Sequence, residues 1–229
     1  MFIDPDGNRV VLAKQADANH FASDINAMAG GGFRFNKSGE LRLKFFSRFK
    51  FRKKGNYSKD YRKNLIRAIR ADRVVTLNKV SSDFKHPWKT VAGDGTSLVG
   101  RTDDDGEPVT INQTLSDFGG GKTQGFYGSD AEVYVDGTGF SDDVGDEKGK
   151  AIGETFERSS ARILMHEFLA HVFPAIFDET YNRSGDQNEH DAIQGTDFPL
   201  NEVNPEHSES FENPVTGSNG QSVKKKEHE

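Results

Sequence analysis

The stretch Ile163-Leu164-Met165-His166-Glu167-Phe168-Leu169-Ala170-His171-Val172-Phe173 sets two histidines and a glutamate in an otherwise apolar run. Phe156, Ile163, Leu164, Phe168 and Val172 fall on one side at helical spacing, so the segment reads as a helix beginning near Glu154 or Thr155. Burying three ionisable groups without partners costs on the order of several kcal/mol, and a shared metal ion would supply the partner. The spacing raises a difficulty. A regular helix turns about 100° per residue, so side chains four apart diverge by about 40° and side chains five apart by about 140°. His166 and His171 are five apart. A π-type turn that absorbs the extra residue would realign them, so the motif predicts a widened or broken turn between the two histidines. Pro174 cannot donate to the carbonyl of Ala170, which already breaks the ladder within the motif's own turn and predicts a bend or an end there. The competing reading pairs Glu167 with His171 as an ordinary i,i+4 contact and leaves His166 as a core histidine.

Composition narrows the chemistry. The 229 residues include no cysteine, which excludes disulfides, thiolate catalysis and Cys-ligated zinc; a metal must be held by His, Asp or Glu. Hydrophobic residues make up 33% and charged residues 29%, with 24 glycines, so long loops or a disordered tail must accompany the core. No apolar run approaches membrane-spanning length, and no signal-peptide pattern opens the sequence. The net charge of −6 conceals an asymmetry, because residues 34–73 carry fifteen Lys/Arg against Glu40, Asp60 and Asp72. Such a block predicts a polyanion partner or neutralisation by the acidic remainder. Within it, FFSRFKFRKKGNYSKDYRKN interleaves rings with cations, a mixture suited to single-stranded nucleic acid. The plainer reading is a hairpin with one charged face followed by an amphipathic helix.

Outward from the motif, residues 8–80 read as a small basic α+β unit. Val10–Leu12 is a short strand, and Phe21, Ile25 and Met28 mark a helix over 15–28 that Gly30–Gly32 end. Phe33 and Phe35 alternate with Leu41, Leu43 and Phe45 across Asn36-Lys37-Ser38-Gly39, a hairpin. Ser58 caps a helix through Ala71, and Val74–Leu77 is a strand. Beyond residue 81 the chain is rich in Gly, Asp and Thr, with strands expected at Val109–Gln113 and Ala131–Val135. Residues 136–153 read as an acidic loop, Asn188–Gln194 as a short helix, and 201–229 as a disordered polar tail. Gly119-Gly120-Gly121-Lys122-Thr123 lacks the first glycine and the following helix of a phosphate-binding loop and reads as a flexible loop. Asp136, Asp142, Asp143 and Asp146 do not have the spacing of an EF-hand and read as solvated.

A third metal ligand would complete a hydrolytic site, in which two imidazoles and one more side chain leave a position for water. Asp186, Glu189, His190 and Asp191 compete for it, within Ser184-Gly185-Asp186-Gln187-Asn188-Glu189-His190-Asp191-Ala192.

HEFLAH resembles the HELLGH motif of the dipeptidyl-peptidase III family, an HExxxH relative of the HExxH zinc peptidases. It also resembles the HELFGH-like motif of zincin-like toxin domains at the C-termini of bacterial Rhs-type polymorphic toxins. Those domains continue into an acidic segment similar to Gln187-Asn188-Glu189-His190-Asp191-Ala192, and Met1-Phe2-Ile3-Asp4-Pro5-Asp6-Gly7 is similar to the end of the Rhs core. Ala170 stands where those motifs have glycine. The resemblance implies Zn2+ held by His166, His171 and Glu189, with Glu167 as general base. It implies an α+β, zincin-like metalloprotease core over 95–200, preceded by residues 1–7 as the end of the Rhs-like core. It further implies a secreted effector delivered into a target cell, a protein substrate there and a cognate immunity protein. Zincins lay a strand beside the active helix and pair substrate with its edge; Ala131–Val135 is the strand expected in that place. The alternatives are a nucleic-acid-targeting toxin using residues 34–73, and a non-enzymatic module of a large surface protein.

Overall fold

The computed structural model describes residues 9–44, 57–85, 114–125, 130–145, 151–177, 215–216 and 222–223. Strand β1 (Arg9–Leu12) leads through a 3-10 turn (Gln15–Asp17) into helix α1 (Ala18–Ala29). Gly30 ends α1 in the left-handed region at φ 76°, where the absent side chain also leaves room for the Tyr57 ring. Strands β2 (Phe33–Phe35) and β3 (Leu41–Leu43) form the expected hairpin. Its turn is held by Asn36, whose Oδ1 accepts from the backbone N–H groups of Ser38 and Glu40. Helix α2 (Lys59–Ala68) starts at Ser58, whose hydroxyl accepts from Tyr61 N at 2.9 Å, and strand β4 (Val74–Val80) follows. Ser58 is fully buried, so Ser58→Ala should cost about 1 kcal/mol in a urea melt; an unchanged midpoint would show that the cap contributes nothing.

Strands β5 (Gly121–Gln124) and β6 (Ala131–Asp136) complete a four-stranded sheet in the order β1-β4-β6-β5. The first three are mutually parallel and β5 runs antiparallel to β6. The sheet thus takes two strands from residues 8–80 and two from residues beyond 95, and both stretches share one layer. Val10, Val75, Leu77, Ala131, Val133 and Val135 face one buried core with Phe21, Ile25 and Leu65 of the first helices. Tyr134 points to the other face, where it packs with Leu115, Phe84 and Phe118. The chain is α+β, as its hydrophobic periods indicate.

Strands β7 (Phe140–Gly145) and β8 (Ala151–Arg158) pair antiparallel, so the expected acidic loop over 136–153 is largely a hairpin. Phe156 belongs to β8, opposite Asp142, and not to the helix. The helix starts later, at Ser160, with the Ser159 hydroxyl accepting from Arg162 N. It runs without a break as α-helical Ser160–His166, π-helical Glu167–Val172 and α-helical Phe173–Phe177, together called α3. Pro174 therefore does not end it. The wide turn just upstream already departs from the i→i−4 ladder that a proline would interrupt.

Two further expectations change. Ala131–Val135 is bonded on one side to β4 and on the other to β5, so its edges are taken; among the described residues β5 is the outer strand on that side of the sheet and β1 on the other. Gly121-Lys122-Thr123, expected to be loop, is part of that strand, and only Gly119 and Gly120 form a turn, at φ 67° and 84°. The expected strand at Val109–Gln113, residues 1–7 and the 186–191 segment lie outside the described residues. In the tail, Val215–Thr216 and Ser222–Val223 pair antiparallel as β9 and β10; the rest of 201–229 lies outside as well.

Candidate functional site

His166 is the last residue of the α-helical part of α3, and Glu167 opens the π segment that ends just after His171. An i→i+5 bond makes five residues close to one full turn, which cancels the divergence that a regular helix would impose. The two imidazoles consequently lie on the same side, with ring centroids 5.6 Å apart and planes at 70°. One donor atom from each of His166, Glu167 and His171 lies within 4.8 Å of the other two. The three side chains can hold one metal ion. Phe168, Leu169, Ala170 and Val172 are all buried, so four apolar residues of the π segment pack into the core.

The chemistry of the donors fits a divalent ion. Two imidazoles and carboxylate oxygen, in a chain without thiols, suit zinc among other first-row metals. Both histidines are partly exposed, whereas Glu167 retains only 4% of its accessible surface. A buried carboxylate needs hydrogen bonds. Thr123 supplies one: its hydroxyl donates to Glu167 Oε2 at 2.7 Å from the adjacent strand β5. Gly121, two residues earlier on the same face, leaves space for the rest of the carboxylate. A methyl group there would come within 2.6 Å of Glu167 Oε1 and 2.5 Å of Ile163 Cγ2.

Three of the four site residues expected from the sequence are thus brought together, and Glu189 lies outside the described residues. Gly121 and Thr123 were expected in a flexible loop and not at this site. Their signal was present: the GKTQ run pairs in register with Ala131–Val135 if it is read as a strand rather than a phosphate loop. Of the acidic cluster, Asp136 is buried and serves a turn, its Oδ1 accepting from the backbone and hydroxyl of Thr138. Within the basic segment, several cations have local work. Arg62 donates to the carbonyls of Ala29 and Gly31, Arg67 lies 3.9 Å above the Phe177 ring, and Arg42 pairs with Glu40. Residues 45–56 of that segment lie outside the described residues.

No protein-family model, no curated protein and no solved structure matches the chain.

Proposed function

We propose that this chain is a zinc-dependent peptidase with a zincin-like core, acting as a toxin on a protein of a target cell. The observation that carries the peptidase reading is the π-turn that sets His166, Glu167 and His171 together directly beneath the outer strand β5. His166 and His171 would hold the ion, with Glu189 as the third ligand that the toxin resemblance implies. A zinc ion bound there supplies Lewis acidity, making water more acidic and polarising a carbonyl. The chain's own residues supply the rest. The outer side of β5, which no strand covers among the described residues, can take an extended peptide by backbone pairing. Glu167 takes a proton from water as the water oxygen bonds to the scissile carbonyl carbon, and returns it to the departing amine nitrogen as the C–N bond breaks. Burial of Glu167 keeps this proton transfer from competing bulk water.

The toxin role rests on the resemblance of HEFLAH, the 187–192 segment and the opening residues to Rhs-linked domains. It carries with it secretion, delivery into a target cell and an immunity protein that blocks the site.

The test uses the full chain, purified without added metal and then titrated with zinc, against a quenched random-peptide mixture and a bacterial lysate. New amine termini should appear, vanish with chelator and return with zinc. A protein that takes up no zinc at micromolar concentration, or that cleaves nucleic acid and no peptide, would overturn the reading.

The third ligand has its own test. In the short helix that the sequence predicts over Asn188–Gln194, Glu189 would stand three and four positions before Ala192 and Ile193 and would share their face, with His190 the nearest rival. Alanine substitution at Asp186, Glu189, His190 and Asp191, with zinc affinity measured by chelator competition, should weaken binding most at Glu189. A larger loss at His190 would make the site a three-histidine one.

A further inference from the structure

We infer that Thr123 is a positioning residue for Glu167, and that Gly121 is the gap in the strand that allows it to act; the inference rests on the peptidase reading. A glutamate side chain on a helix has three rotatable bonds, and a proton acceptor is useful only when its oxygens face the reacting water. Here each oxygen has a set place. Oε2 receives the Thr123 hydroxyl at 2.7 Å. Oε1 lies over Gly121, where any side chain would collide with it. Both contacts come from one face of β5, whose residues 121 and 123 pair with Val135 and Val133 of β6. The carboxylate is therefore referenced to the sheet as well as to its own helix. The same strand offers its outer edge to an extended peptide, so β5 sets the base and the substrate in one frame.

The geometry also separates Thr123 from general support of the helix. Ile163, Leu164 and Phe168 are buried by apolar contact and need no hydroxyl from β5. The Thr123 hydroxyl instead reaches the Glu167 carboxylate, which faces the strand.

The experiment compares Thr123→Val, which keeps shape and removes the donor, with Thr123→Ser, Glu167→Gln and Glu167→Ala, singly and as Thr123→Val/Glu167→Ala. Three quantities are read on the full chain: thermal midpoint without metal, zinc affinity by chelator competition, and kcat and KM on the quenched peptide mixture. Thr123→Val should lower the midpoint by about 2–4 °C, and that shift should vanish when Glu167 is already Ala. It should lower kcat by about ten- to a hundredfold with KM little changed, leave zinc affinity intact, and be largely rescued by Thr123→Ser. An equal midpoint loss in the Glu167→Ala background would overturn the inference. So would a Thr123→Val protein that cleaves at the normal rate while Glu167→Gln is silent. A fall in zinc affinity along with kcat would make Thr123 the support of a metal ligand and overturn it too. A wild-type protein that cleaves nothing, or a Glu167→Gln protein as active as wild type, defeats the peptidase reading itself. If Thr123→Val fails to fold, Gly121→Ala tests the same seat from its other side: it should lower kcat with zinc affinity retained, and unaltered kcat would count against the inference.

Discussion

Glu167→Gln is expected to reduce peptide hydrolysis by about 10²–10⁴-fold while the fold and the zinc affinity remain. The amide has the same shape as the carboxylate, and its oxygen can still accept from the Thr123 hydroxyl, which donates to Oε2 in the native site. What it cannot do is take a proton from water at neutral pH. Because Glu167 is 4% exposed, bulk solvent has little access to replace it as base. Three measurements separate its possible roles: hydrolysis of the peptide mixture, zinc affinity by chelator competition and the thermal midpoint. Full activity would mean that another group takes the proton. Lost zinc with intact folding would make Glu167 a ligand, as its closeness to both imidazoles permits.

Much of this site could be read from one line of sequence, and the part that could not has a physical cause. The five-residue separation of His166 and His171 predicts either divergence in a regular helix or convergence across a widened or broken turn. The structure has the π turn. Local signals also placed β1, α1, the β2–β3 hairpin, α2 and β6 close to where they occur, since Gly30, Asn36 and Ser58 act on their immediate neighbours. Local signals failed where pairing partners decide. Phe156 stands seven residues before Ile163, a spacing that a helix also satisfies, and only the opposite strand, Phe140–Gly145, makes 151–158 strand β8. Gly121–Gln124 is four residues, Gly-Lys-Thr-Gln, with one β-branched side chain, too weak to be a strand alone; alignment against Ala131–Asp136 makes it one. With β5 unrecognised, the outer edge fell to Ala131–Val135, and Thr123, the donor to Glu167, went unnoticed.

Phe168→Ala should cost about 3–5 kcal/mol, the largest stability loss expected from any single change in the motif. Phe168 is fully buried inside the π segment, between the proposed base and Leu169. Its ring meets Tyr61 of α2 edge-on at 6.0 Å and Phe173 at 5.3 Å. Truncation therefore opens a cavity between α2 and α3 and removes one of the ring contacts that tie the two helices, leaving Tyr61 against Phe173. Thermal melting of the metal-free chain should register a drop of about 6–20 °C; a loss below about 1 kcal/mol would mean that the surrounding rings collapse into the space. Zinc affinity then tells what holds the turn. If packing holds it, the loosened helix can relax toward a regular ladder in which the two imidazoles diverge by about 140°, and affinity should fall more than tenfold. If affinity stays at the wild-type value despite the lost stability, ligation by His166 and His171 is enough to impose the π turn on its own, and the buried side chains of 168–172 serve the fold rather than the metal.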